Sequence, residues 1–222
     1  MHYHSDKIIR DVAQKAQQIR IDVLNMVYKA QTGHIGGAFS AAEILASLFF
    51  HHMRLDPKNP SWEDRDRLIF SKGHACAALY SAMAHRGYFD PKALSTFREF
   101  NSRLQGHPDS VKLPGVEVPA GPLGHGVAIG TGLALGLRKA GKPSAMSAPS
   151  ARAASANVYV VLGDGEINAG VIWEGVMAAY KFKVGNLTAI LDYNGIQQTG
   201  ATADTLPTEI GRASCRERVC HR

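Results

Sequence analysis

Between Val158 and Thr199 the chain reads VYVVLGDGEINAGVIWEGVMAAYKFKVGNLTAILDYNGIQQT, and few folds accommodate that order of signals. A short apolar run, Val158 to Leu162, predicts a buried strand. The chain then turns sharply at Gly163-Asp164-Gly165, after which Val171, Ile172, Gly175, Val176 and Ala179 recur on one side of a helix. A second apolar run, Leu187 to Leu191, ends in Asp192-Tyr193-Asn194-Gly195. Strand, loop, helix, strand is a βαβ unit, which predicts an α/β fold with a parallel sheet flanked by helices. Ligands of such sheets sit outside the carboxyl ends of the strands. Asp164 and Asn194 each fall just past a strand end, so the topology brings them to one edge.

Those two side chains suit a hard cation. Magnesium takes oxygen ligands in an octahedron, commonly one or two carboxylates with phosphate oxygens and water. Asp164 supplies a carboxylate and Asn194 an uncharged amide oxygen, while the turn after Asn194 can aim the carbonyl of Ile196 at the same ion. Gly163 and Gly165 let the backbone approach a phosphate closely.

Upstream, Asp11 to Ala30 predicts an amphipathic helix, with Val12, Ala16, Ile19, Val23, Met26 and Val27 at three-and-four spacing. Three Gly-His pairs stand in turns: TGHIGG around His34, SKGHAC around His74 and QGHPD around His107. Ser40-Ala41-Ala42-Glu43 reads as a capping box ahead of a face made by Ile44, Leu45, Leu48 and Phe49. Arg67 to Phe70 predicts a strand that runs into the His74 turn and a small-residue helix, Ala75 to Arg86, stopped by Gly87. Asp90-Pro91 opens another helix. Pro108, Pro114 and Pro119 keep the next stretch irregular. PAGPLGHG then leads into a Gly/Ala-rich helix up to Lys139, suited to close backbone packing, and KPSAMSAPSARAASA from Lys142 to Ala156 reads as a surface connection. His51, His52 and His85 fall within helices without neighbouring glycines and are expected to be structural or exposed. Gly124-His125-Gly126 is no dinucleotide fingerprint, because no strand precedes it and no acid lies between Glu117 and Asp164.

Together these residues resemble a known family. GDG followed about thirty residues later by an Asn ending a strand resembles the thiamine diphosphate signature, and WEGVMAAYKFKVGNLTAILDYNGIQQTG is similar to transketolases. The resemblance covers nearly all of Gln14 to Pro207 and implies the pyrophosphate-domain fold. It implies thiamine diphosphate and Mg2+ (or Ca2+ or Mn2+) as cofactors, the metal held by Asp164, Asn194 and Ile196, with Gly163 and Gly165 at the cofactor. His74 would touch the diphosphate, Gly121 and Leu123 of GPLG would hold the aminopyrimidine through the backbone, and His34 and His107 would be catalytic, facing the sugar. Glu174 matches a subunit-interface glutamate, whereas Ala169 stands where many relatives carry an acid. The implied reaction moves a two-carbon ketol unit from a ketose phosphate to an aldose phosphate, as in the pentose phosphate pathway. The glutamate that activates the aminopyrimidine belongs to a C-terminal domain or subunit, within a homodimer or a heterotetramer, so the isolated chain is expected to be inactive. QGHPD and WEGVMAAY weigh against a deoxyxylulose phosphate synthase or a dehydrogenase E1 component, and VEVPAGPLGHG with LDYNGIQQTG favours a split, two-chain transketolase. A non-catalytic cofactor-binding partner is the reading from another class.

Composition sets the remaining bounds. At 222 residues, 45% hydrophobic and 20% charged, the chain suits one soluble α/β domain. No apolar run approaches the roughly 20 residues of a membrane span, and MHYHSDKIIRDVAQ has no signal-peptide pattern, so a cytoplasmic protein is expected. The net charge of +6 is scattered rather than striped, which argues against nucleic acid. Residues 209–222, EIGRASCRERVCHR, resemble a translated sequencing adaptor. They carry four arginines, two glutamates and two of the three cysteines. The expected domain is therefore 1–208, incomplete at its C-terminus, with Cys76 as its one cysteine.

Overall fold

The computed structural model describes residues 5–140, 156–197 and 200–206. The low-complexity stretch, apart from Ala156, and the 209–222 tail lie outside the described residues. At the centre is a parallel sheet of three strands in the order β1 (Arg67–Phe70), β2 (Val158–Gly163), β3 (Leu187–Asp192). Leu68 stands opposite Tyr159 and Val161 opposite Ile190. Side chains alternate across a strand, so the apolar runs serve two cores at once. Leu68, Phe70, Tyr159 and Val161 join one buried cluster; Ile69, Val158, Val160 and Leu162 join the other.

Helices cover both faces. On the first lie α1 (Asp6–Ala30), the short α2 (Ile35–Ser40), α3 (Ala42–Ser47), which runs into a π-helical turn, and α4 (Cys76–Arg86). α1 begins five residues before its expected start and buries Ala16, Ile19, Val23, Met26 and Val27. α4 is buried from Cys76 through Ala84, which explains its lack of a polar stripe. It stops at Gly87, whose φ of 101° lets its N–H bond back to Met83. On the second face lie α5 (Gly126–Lys139) and α6 (Gly170–Lys181). Their glycines permit close approach: a Cβ on Gly175 would come within 2.9 Å of the Ala128 nitrogen, and one on Gly130 within 2.6 Å of Val160. Past β3 a two-stranded antiparallel ribbon, β4 (Ile196–Gln197) and β5 (Gly200–Ala201), leads into a helical turn, α7 (Thr202–Thr205).

Two local expectations are corrected. Ser40 caps nothing: it ends α2 and its hydroxyl goes to the Gly37 carbonyl and to Asp192, while Glu43 makes a two-pronged pair with Arg20 at 2.6 Å. The helix after Asp90-Pro91 is a 3-10 turn, Pro91–Thr96, although Asp90 does cap it by accepting from the Lys92 N–H. His51 and His52 are exposed, and His85 meets Asp22 at 2.7 Å. No helix among the described residues is long and apolar enough to cross a membrane.

Candidate cofactor site

Every candidate side chain gathers at the carboxyl edge of the sheet. β2 delivers Asp164 and β3 delivers the 192–196 turn, and the two loop tips touch. Asp164 is 2% exposed. Its Oδ1 accepts from the Gly165 N–H at 2.9 Å, and its Oδ2 accepts from the Gly195 N–H at 3.0 Å and the Thr202 hydroxyl at 2.6 Å. Thr202 reaches it because the β4–β5 ribbon folds the chain back. The Asn194 amide oxygen accepts from the Ile196 N–H at 2.9 Å, an Asx turn that shapes the tip. Among the described residues no Lys, Arg or His pairs with Asp164, and no three His, Cys, Asp or Glu side chains converge on a metal position. A cation here would rest on one carboxylate, one amide oxygen and main-chain carbonyls. That all-oxygen set fits a hard ion that keeps water and phosphate in its remaining positions.

Beside this tip lies an ion pair that sequence reasoning missed. Lys72, 1% exposed, bonds through its ammonium to Asp192, 6% exposed. The Ser40 hydroxyl donates to the same Asp192 oxygen at 2.7 Å and lies 3.3 Å from both the Lys72 ammonium and the Asn194 amide nitrogen. The ends of α2, β1 and β3 are thereby tied together. The one sequence signal for it is a lysine next to the Gly-His turn, directly after a strand buried on both faces.

Glu166 makes a second tie. It is 3% exposed, accepts from the Gly124 N–H at 2.8 Å and the Gly163 N–H at 3.0 Å, and takes the Ser71 hydroxyl as well. From sequence it reads only as an acid entering a helix. Gly124, at φ 88°, turns the GPLG segment back toward Ala169 and Val171. Gly121 and Leu123 are exposed just before it. The backbone of Ala120 lies so close to Gly73 that a Cβ there would fall 2.8 Å from the Ala120 oxygen. GPLG therefore borders the His74 turn on one side and the Asp164 loop on the other.

The three histidines share this rim. His34 and His74 meet edge to face with centroids 5.4 Å apart. Burial, then the neighbouring charges of Lys72, His34 and His107, pushes His74 down to about 4. Burial, with Arg98 and His34, also holds His107 below the usual histidine range. Both are therefore neutral at pH 7 and each ring keeps one N–H donor and one acceptor nitrogen. His34 and His107 are exposed to the cleft side, whereas His74 is half-buried against Gly37. His125 contacts only the Leu123 carbonyl among the described residues. Glu174 and Ala169 lie on the α6 side, away from the Asp164 and Asn194 tips; Glu174 is exposed.

Comparison with known proteins agrees with this geometry. Residues 12–213 match the family model described as transketolase, thiamine diphosphate binding domain. One of the two subunits of an apulose-4-phosphate transketolase from Phocaeicola vulgatus is 37% identical over 88% of this chain and 65% of its own length. A 6-deoxy-6-sulfo-D-fructose transketolase subunit from a Clostridium species is 37% identical over 90% and 68%. Transketolase from Leishmania mexicana superposes with a TM-score of 0.83 at 30% identity, covering 97% of this chain and 31% of that one. The chain thus spans about two thirds of the split subunits and under a third of the single-chain enzyme. It belongs to the transketolase family, of which it carries the N-terminal, thiamine diphosphate-binding domain.

Proposed function

We propose that this chain binds thiamine diphosphate through a divalent cation, Mg2+ in the first place, and forms the cofactor-binding part of a transketolase. The observation that carries this is the meeting of the two loop tips, Gly195 N–H on Asp164 Oδ2. Asp164, the Asn194 amide oxygen and the Ile196 carbonyl would hold the cation. His74 and the Gly163 and Gly165 backbone would hold the diphosphate, and Gly121 and Leu123 the aminopyrimidine. Thiamine diphosphate, when bound, supplies the carbanion chemistry that moves a two-carbon ketol unit between sugar phosphates.

The chain's own residues position and exchange protons. His74, kept neutral, donates a hydrogen bond to phosphate without adding a charge to a rim that already contains Lys72. His34 and His107 face the cleft and would donate to the sugar carbonyl and hydroxyl oxygens, stabilising charge as it develops there. A neutral His107 can also accept a proton from a hydroxyl. The glutamate that activates the aminopyrimidine would come from a C-terminal domain or partner subunit, in a homodimer or a heterotetramer. The subunit names of the split relatives support the two-chain arrangement.

The test is reconstitution. The chain is mixed with the domain or subunit that completes it, thiamine diphosphate and Mg2+ are titrated by calorimetry, and ketol transfer is assayed. Saturable cofactor binding and transfer activity are expected, both abolished by Asp164→Ala. Full activity in that variant would refute the metal assignment.

A further inference from the structure

Glu166 is buried, has no cationic partner among the described residues, and does nothing in the chemistry above. Its two oxygens are nevertheless divided between two loops. Oε1 takes the Gly124 N–H and the Ser71 hydroxyl; Oε2 takes the Gly163 N–H. Gly124 closes the GPLG turn and Gly163 opens the Asp164 loop. Carboxylates holding backbone N–H groups make the stronger class of hydrogen bond, and a rigid three-atom carboxylate fixes both donors relative to each other. We propose that Glu166 is a positioning residue, setting the distance between the aminopyrimidine platform at Gly121–Gly124 and the diphosphate and metal loop at Gly163–Gly165. This rests on the thiamine diphosphate reading, and it makes a bidentate acceptor the requirement at residue 166.

Glutamine has nearly the same shape but only one acceptor. Whichever way its amide turns, an NH2 group faces either the Gly124 or the Gly163 N–H, so one loop is released. Aspartate keeps the charge and both acceptors but is one methylene too short to span the two. A purely electrostatic role would be satisfied by aspartate, and a positioning role by neither.

The experiment compares two probes on the chain assembled with its completing domain or subunit: thiamine diphosphate with Mg2+, which touches both loops, and inorganic pyrophosphate with Mg2+, which touches only one. Glu166→Gln and Glu166→Asp should each weaken thiamine diphosphate by about tenfold or more, the scale of a lost charge-assisted bond. Pyrophosphate should change by less than about threefold, within the scatter of a neutral neighbour. Ser71→Ala leaves both backbone bonds in place and should keep thiamine diphosphate affinity within about twofold; it also serves if the Glu166 variants fail to fold, since a tenfold loss there would transfer the role to the hydroxyl and overturn the proposal. Equal loss of both probes, loss of neither, or rescue by aspartate would also overturn it. Failure of the underlying reading looks different: the wild-type protein would then bind pyrophosphate no more weakly than thiamine diphosphate.

Discussion

Asp164 and Asp192 occupy equivalent places, at the carboxyl ends of neighbouring strands, and both are almost fully buried. Their surroundings are opposite. Asp192 has Lys72 against one oxygen and Ser40 beside it, so its charge is balanced within the protein. Asp164 has only N–H and O–H donors, two amides and a hydroxyl, and no cation among the described residues. Desolvating a carboxylate is costly, and the protein offsets it either with a counter-charge or with dipoles that leave the negative charge available. Asp192 follows the first route and is architecture. Asp164 follows the second and keeps a net charge for a ligand to meet.

Removing the counter-charge should have the largest effect. Lys72→Met leaves Asp192 buried with a single hydroxyl donor, and breaking a buried pair from one side costs about 3–5 kcal/mol. Urea unfolding should show that loss whether or not metal is present. If the variant is as stable as wild type, the pair is not what fixes the ends of β1 and β3.

The mirror experiment is Asp164→Asn. The amide keeps one acceptor for the Gly195 or Thr202 donor, so stability without ligand should fall by only about 1–2 kcal/mol. What should vanish is the response to ligand. Wild type gains stability as Mg2+ with thiamine diphosphate is added, following RT ln(1 + [L]/Kd), while Asp164→Asn should show no rise in melting temperature over the same titration. A full rise would place the cation elsewhere.

The same contrast explains what can be seen in the sequence. The βαβ unit is legible because alternation, glycine turns and strand ends are local signals, and they put Asp164 and Asn194 on one edge without any knowledge of packing. The three Gly-His turns are legible for the same reason. Lys72, Ser40 and Asp192 are not, because a buried charge pair joins residues 120 positions apart and looks like any surface lysine and loop acid until the fold brings them together. Ser40 shows how a local rule misleads: Ser-x-x-Glu is a capping box in isolation, but here each residue found a distant partner, Asp192 and Arg20. Glu166 has the look of a helix-start acid, yet its partners Gly124 and Ser71 come from other elements.

Lys72 also reaches beyond its own pair. Burial first, and then the Lys72 charge, keeps His74 from taking a proton. The folded value, about 4, lies below the roughly 6.5 of a free histidine. Between these limits the unfolded chain binds more protons than the folded one, so stability rises with pH through that window and falls as pH drops from 6.5 toward 4. His74→Asn removes that component. The wild-type minus variant difference in urea midpoint should therefore shrink on going from pH 7 to pH 5, and remain flat above pH 7. A difference that does not change with pH would mean that the ring titrates alike in both states.

The finest discrimination comes from deleting one hydroxyl on each side. Ser40→Ala takes a donor from Asp192 and Thr202→Val takes one from Asp164. Each should cost about 1 kcal/mol without ligand, the net worth of a single hydrogen bond. Their response to Mg2+ and thiamine diphosphate should separate them. Asp192 already has its cation, so the Ser40→Ala deficit should persist unchanged at saturation. Asp164 without Thr202 is a less satisfied anion that gains more from a metal, so the Thr202→Val deficit should narrow as the site fills. If both deficits persist equally, Asp164 is as internally balanced as Asp192, and the distinction between an architectural and an available carboxylate fails at this edge of the sheet.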